Sequence, residues 1–401
     1  MNLLKREKYL NRVRPYFNKQ LIKVITGQRR VGKSYLLKQI ASELETLDPS
    51  GNFIFIDMEK FEFDGIKTYT HLVEYVKKQS AGNANYVFID EVQEIEGYEK
   101  ALRSLLSDGN YDLYCTGSSS RVFSGELATL LSGRQVEIRV RSLSFSEFLQ
   151  FHQLSKAREA LMRYLKHGGL PYLIHVPDED EMVFDYLRNI YATILYRDIV
   201  SRNQIRDTAF LENLLRYLAD NTGSIVSANK ISAYLKSQQN SKTTSVIINY
   251  IAYLEQAYFI SGAERQDIQG KKIFESGEKY FFEDIGLRNV VGGYKPNDIA
   301  KVLENVVYNH LCFWGYTVCV GKNNDKEIDF VAQRNGEFVY VQAAYLLSSD
   351  SVTEREFGNL LAIPDNYPKY VVTMDEFPAI TTYKGIKHMH LLDFLSLDDL
   401  V

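Results

Sequence analysis

Residues 27–37 read GQRRVGKSYLL. Gly27 and Gly32 bracket a turn, and Lys33 and Ser34 lead from it into Ser34 to Glu45, whose apolar residues recur at helical spacing. A short apolar run, Leu21 to Ile25, comes just before the turn. Strand, Gly-x-x-x-x-Gly-Lys-Ser and helix, in that order, make a loop that cradles phosphate. The glycines let the backbone curl so that its N–H groups face inward, and the helix start adds its positive end. On this reading Gly27, Gln28, Arg29, Arg30, Val31, Gly32, Lys33, Ser34 and Tyr35 form a nucleotide-binding segment. Lys33 reaches the β- and γ-phosphates and the Ser34 hydroxyl holds Mg²⁺, so ATP and Mg²⁺ are the expected ligands.

Outward from the loop, four more apolar runs follow at Asn52–Asp57, Tyr86–Asp90, Tyr111–Cys115 and Val136–Val140. Short buried runs separated by helical segments predict a parallel sheet covered by helices. The run YVFIDEVQEI delivers Asp90 and Glu91 to the end of its strand, where an open α/β sheet binds its ligand. Asp90 is expected to hold Mg²⁺ through water and Glu91 to orient and deprotonate the attacking water. The next run ends in CTGSSS, where Thr116, Ser118 and Ser119 are candidates to touch the γ-phosphate and the water. Ser118 is preferred, and a hydroxyl-rich helix cap is the alternative. Arg134 lies just before the fifth run, the position from which ring-forming ATPases reach a neighbour's γ-phosphate. It reads either as such a catalytic finger or sensor, in cis or in trans, or as an ordinary salt-bridge residue.

The chain of 401 residues has room for further domains. The net charge of -4 demands no nucleic-acid partner. Cys115, Cys312 and Cys319 are few, odd in number and without zinc spacing, which predicts buried reduced thiols in a cytoplasmic protein. No apolar leader opens the chain, and its most apolar stretch, Ser245 to Ser261, holds Asn249, Glu255 and Gln256, so no membrane span is expected. From Ser144 to Asn203 the pattern is helical, broken at KHGGLPYLI. Three further helical patterns, the last of them (Lys242 to Gln256) burying Val246, Ile247, Tyr250, Ile251 and Leu254, and the strand-like AYFISGAER suggest a winged helix, its hairpin closed by Lys272–Phe274 or Lys279–Phe282. A helix at Val302–Trp314 and strands at Thr317–Gly321, Glu327–Ala332, Phe338–Ala343 and Tyr370–Thr373 complete the reading, with Asn335-Gly336 as a hairpin turn.

Taken in order, GQRRVGKSYLL, YVFIDEVQEIEGYEKALRSL, YDLYCTGSSSRVFSGELATLLSGR, RSLSFSEFLQF, GGLPYLI, YRDIVSRNQI, KYFFEDIGLRNVV and LENVVYNHLCFWGY resemble a large family of bacterial and archaeal AAA-type ATPases over nearly the whole chain. The resemblance implies an α/β ATPase core (1–143), a helical lid (144–203), a winged-helix-like segment (204–290) and a restriction-endonuclease-like α/β domain (291–401). A nuclease of that terminal fold needs an early Glu, an Asp, then Glu-x-Lys. Glu304 and Asp329 match, but Gln342 and Ala344 stand at the last two positions, so the expected domain folds like a nuclease without cutting. Two function classes follow: an ATP-driven switch or remodeller acting on DNA or protein through the winged-helix-like segment, with homo-oligomers expected if Arg134 acts in trans, and an ATP-dependent nuclease or defence effector. The changes at Gln342 and Ala344 favour the first.

Overall fold

The five apolar runs pair in parallel in the computed structural model, which describes residues 4–82, 84–120, 133–237, 242–268, 277–324, 326–376 and 381–400. They are β1 (Ile22–Thr26), β2 (Asn52–Asp57), β3 (Asn85–Asp90), β4 (Tyr111–Gly117) and β5 (Gln135–Arg139), in spatial order β2-β3-β4-β1-β5. One face buries Val24, Ile56, Ile89 and Leu113 under α3 (Tyr69–Gln79) and α4 (Tyr98–Asp108). The other carries stacked rings, Phe53 on Tyr86 at 4.8 Å and Phe88 on Tyr114 at 5.0 Å, and α2 (Lys33–Leu47) covers this side with Leu36, Ile40 and Leu44 buried. Both faces being apolar explains why the runs read as continuous hydrophobic stretches. These elements belong to one compact unit, Met1–Arg141 with Gln256–Tyr258. The late segment joins it through Tyr258, whose hydroxyl donates to Glu137 at 3.1 Å.

The second unit, Ser142–Glu255 with Phe259–Val401, opens with helices. They are α5 (Phe145–His152), α6 (Arg158–His167), α7 (Asp180–Thr193), a π-helical turn (Ile194–Ser201), α8 (Thr208–Asp220), α9 (Ala228–Ser237) and α10 (Thr244–Gln256). Ser144 caps α5 in a complete capping box with Glu147. The mixed sheet has the order β12-β13-β11-β10-β9-β8-β6-β7. Its strands are β6 (Ile260–Asp267), β7 (Glu278–Phe282), β8 (Thr317–Asn323), β9 (Lys326–Arg334), β10 (Glu337–Ala343), β11 (Lys369–Thr373), β12 (Thr382–Tyr383) and β13 (Ile386–His390). α12 (Ile299–Phe313) packs on one face with Val306, Phe330 and Val341, and α13 (Asp350–Leu361) on the other with Phe357, Leu360 and Val371. Asn335 and Gly336, both at positive φ, close β9 onto β10 as expected.

Three sequence expectations change. The hairpin β6–β7 forms with Lys279–Phe282, but β6 also pairs in parallel with β8, so the hairpin extends the terminal sheet instead of standing apart as a wing. Its other proposed partner, Lys272–Phe274, lies outside the described residues, as does most of RVFSGELATLLSG. Cys115 is buried, whereas Cys312 and Cys319 are half-buried; all three are free thiols. Val246 and Tyr250, expected in the core of α10, are half-buried, because the helix turns only Ile247, Ile251 and Leu254 fully inward.

The stretches HGGLP and EDIGLRN are structural. Asp284 caps α11 (Ile285–Gly292) by accepting from Leu287 N–H at 3.1 Å, and it also accepts Gly169 N–H at 2.9 Å. A Cβ on Gly168, at φ +78°, would stand 2.3 Å from Asp284 Oδ1, and one on Gly286 would stand 2.1 Å from the His167 carbonyl oxygen. The HGGLP break and the EDIGLRN stretch are thus two halves of one joint. Burial pushes the Asp284 carboxyl above its ordinary range against bonds from Gly169, Leu287, Ser142 and Gly286. Asp284→Ala therefore strands these buried donors and should cost about 2–4 kcal/mol. Asp284→Asn keeps an acceptor without the buried charge and should cost about 1 kcal/mol or less. Urea denaturation separates the two, and equal losses would show that the joint does not depend on the acceptor.

Candidate nucleotide site

Register brings the site together. In the parallel pairs Thr26 stands level with Gly117, and Asp57 with Asp90, so the ends of β1, β2, β3 and β4 share one edge of the sheet. The loop leaving β1 keeps Gly27 at φ +140°, where a Cβ would lie 2.1 Å from the Val140 carbonyl oxygen, and Gly32 at φ +96° starts α2. Only glycine fits the first of these positions without moving β5. Lys33 is buried; its Nζ donates to the Gln28 carbonyl at 3.1 Å and lies 3.8 Å from Glu91 Oε1. Arg29 is also buried and pairs with Glu59 at 3.1 Å. The Gln28 side-chain amide is buried with neither polar atom hydrogen-bonded among the described residues. Arg30 and Tyr35, by contrast, are exposed.

The acid pair faces this loop. Asp90 accepts hydrogen bonds from the Thr116 and Ser34 hydroxyls. Burial pushes its carboxyl up against those two bonds, and the neighbouring Glu91 and Asp57 charges add to the rise. Glu91 sits in a left-handed turn at φ 56°, its N–H donated to Thr116 Oγ1 at 2.8 Å. Burial would raise the Glu91 carboxyl too, yet the Lys33 and Arg29 charges, with hydrogen bonds from Gln93 and Ser118, outweigh it and hold the group below its ordinary range. Glu91 is thus held toward its ionised form in a largely buried site, while Asp90 presents its carboxylate beside the Ser34 hydroxyl. Ser34 and Asp90 supply the hard oxygen donors that suit Mg²⁺, which ordinarily takes one or two protein ligands and completes its shell with phosphate and water.

Of the residues expected from sequence, Lys33, Ser34, Asp90, Glu91 and Ser118 meet at this edge. Ser118 accepts from Gln93 at 3.4 Å, but Thr116 is the residue on β4 that touches both Asp90 and the Glu91 backbone. Arg134 does not join them. Its carbonyl accepts the Ile22 N–H at 2.9 Å, at the start of β1, and its exposed side chain belongs to the opposite edge of the sheet. The five residues of β1 at about 3.3 Å each separate the two edges by about 16 Å. Sequence reasoning missed Gln93 and Asp57. The repeated endings IFID and VFID, residues 54–57 and 87–90, were the available signal for Asp57. Gln93 carried none, because its role arises only from the turn at Glu91.

A family model described as "AAA domain" matches residues 19–149, which contain this whole edge, and one described as "Domain of unknown function (DUF8612)" matches residues 158–298. An uncharacterised protein of Haemophilus influenzae is 36% identical over 400 residues, covering 98% of this chain and 98% of its own. The uncharacterised protein MJ1544 of Methanocaldococcus jannaschii is 30% identical over 364 residues, covering 85% of this chain and 79% of its own. Among solved structures, the Aeropyrum pernix ORC1 protein in complex with DNA aligns with 13% identity over 74% of this chain and 94% of that one, at a TM-score of 0.34, too low to transfer a property. Among the described residues no helix is long and apolar enough to cross a membrane.

Proposed function

We propose, for a chain that belongs to the AAA-domain family of its Haemophilus and Methanocaldococcus relatives, that it hydrolyses ATP and works as a nucleotide-driven switch or remodeller on a protein or nucleic-acid partner. The observation that carries this reading is a buried, ionised Glu91 3.8 Å from the phosphate-loop Lys33, one residue beyond the Asp90–Ser34 pair. Lys33 exchanges the Gln28 carbonyl for phosphate oxygens, and the loop N–H groups bind the same anion. Once Lys33 turns to the phosphates, Glu91 is free to orient a water and accept its proton, with Gln93 and Ser118 holding the carboxylate in place. Mg²⁺ held by Ser34 and Asp90 would neutralise charge on the phosphate oxygens. Thr116 fixes the spacing of the two acids, while Ser118 keeps the expected place beside the γ-phosphate and the water.

The partner is assigned to the α8–α10 segment, where Lys230 and Lys236 are exposed. Phosphate release from ATP, measured alone and with DNA, RNA or cell extract, tests the reading: slow turnover that a partner accelerates is expected. Lack of ATP binding by the folded chain overturns it.

Arg134 enters this proposal only across an interface. At the far edge of its own sheet it serves a second copy's site, so turnover per chain should rise with protein concentration. Arg134→Ala should abolish that rise, lowering turnover at high concentration by about 10²-fold or more while ADP binding persists. Turnover that is independent of concentration and unchanged in the variant would reduce Arg134 to a surface residue.

A further inference from the structure

The metal-site carboxylates implied for the terminal domain do come together in the second unit, but they do so around a lysine. Lys279 on β7 is 1% exposed. Its Nζ lies 2.6 Å from Glu304 Oε1 on α12, 2.9 Å from Glu327 Oε1 and 3.2 Å from Asp329 Oδ1 on β9. An ammonium has three hydrogens to donate, and three carboxylates stand within reach of it.

Neighbouring acceptors are engaged as well. Asp329 Oδ2 accepts the Ala343 N–H at 3.0 Å. Gln342, at the position where a metal-binding nuclease would carry an acid, gives its Oε1 to the Asp329 N–H at 3.3 Å. Glu304 Oε2 lies against Gly223, so closely that a Cβ there would be 2.3 Å away. A divalent ion needs oxygens at about 2.0–2.6 Å on several sides at once, and the ammonium already occupies the point they converge on. Among the described residues no group of three or more His, Cys, Asp or Glu side chains stands where it could hold a metal ion. The residues present therefore do not fit a metal, and the disagreement has a specific physical form.

We propose that Lys279 is a built-in cation that takes the place of a divalent metal among Glu304, Glu327 and Asp329. The cluster keeps the charge balance of a metal site without the metal's exchangeability. An ammonium supplies one positive charge and no open coordination position, so it can neither bind a water nor polarise a phosphate. Because the lysine is covalently tethered and buried, chelators and metal supply cannot switch the site. Removing the lysine leaves three unopposed carboxylates, free to close on an added cation. A cavity of about 430 Å³ lined by Thr222, Lys301, Glu304, Ala343, Ala344 and Arg355 gives an ion a route to Glu304. None of this depends on whether the first unit hydrolyses ATP.

Mn²⁺ binding to the nucleotide-free full-length chain, followed by electron paramagnetic resonance, tests the proposal. Wild type and Glu304→Gln should take up the same amount of Mn²⁺. Lys279→Ala should take up one further ion per chain, lost again in Lys279→Ala/Asp329→Asn, and Mn²⁺ should raise the thermal midpoint of Lys279→Ala alone. Should Lys279→Ala fail to fold, adding Glu304→Gln should restore folding by removing an unopposed carboxylate. Three results overturn the proposal: wild-type Mn²⁺ binding that Glu304→Gln abolishes, a folded Lys279→Ala that gains no ion, or an unfolded Lys279→Ala that Glu304→Gln does not rescue.

Discussion

Glu91→Gln should bind ATP as well as wild type, or more tightly, and turn it over about 10²–10⁴-fold more slowly. The amide keeps the size and one acceptor of the carboxylate, so the turn at Glu91 and its backbone bond to Thr116 survive. It cannot take a proton from water. Binding gains because Lys33, 3.8 Å from Glu91, no longer divides its charge between that carboxylate and the phosphates. The same variant removes an anion from beside Asp90, whose carboxyl the Glu91 charge helps to raise. Titration with a fluorescent ATP analogue and phosphate release measured on one preparation give both quantities. Unimpaired turnover in Glu91→Gln would assign the proton to another group.

Lys33→Ala should lose ATP binding by about 10²-fold or more, the worth of two charge-assisted contacts to phosphate. Stability moves too, since Lys33 is buried and is a principal reason that Glu91 stays ionised there. Without the ammonium, burial dominates and the Glu91 carboxyl rises, so the variant should be less stable at neutral pH than the double variant Lys33→Ala/Glu91→Gln. Removing one partner of a buried pair leaves an uncompensated charge, whereas removing both does not. Melting curves of the two proteins provide the comparison. Equal midpoints would mean that the pair carries no net charge burden, and ATP affinity unchanged in Lys33→Ala would remove the loop from nucleotide binding.

The first unit was legible because its information is local. Each strand there is an unbroken apolar run, buried on both faces, so its position in the sheet does not blur its signal. β12, β13 and α13 escaped notice for the opposite reason. IKHMH and DSVTEREFGNLL mix polar with apolar residues, and only one side of each meets the core. The π-helical turn at Ile194–Ser201, with Asp198 buried inside it, likewise left no periodicity that differs from an ordinary helix.

By itself the sequence determined the α/β class and the strand-end placement of the Gly27–Ser34 loop and of Asp90 and Glu91, since each rests on contiguous residues whose backbone demands are written in their order. The tertiary structure decided which side chains meet across strands. Strand order put β4 between β1 and β3, bringing Thr116 to Asp90. Parallel pairing of β1 with β5 left Arg134, just before β5, at the far edge from Lys33, which follows the end of β1. Strand order in the mixed sheet and the packing of α12 against β7 and β9 brought Lys279 to Glu304 and Asp329, so that residues read as a metal site hold a lysine instead. Local pattern reports which face a residue takes, but strand order and register set its neighbours, and both are fixed by the packing of whole layers.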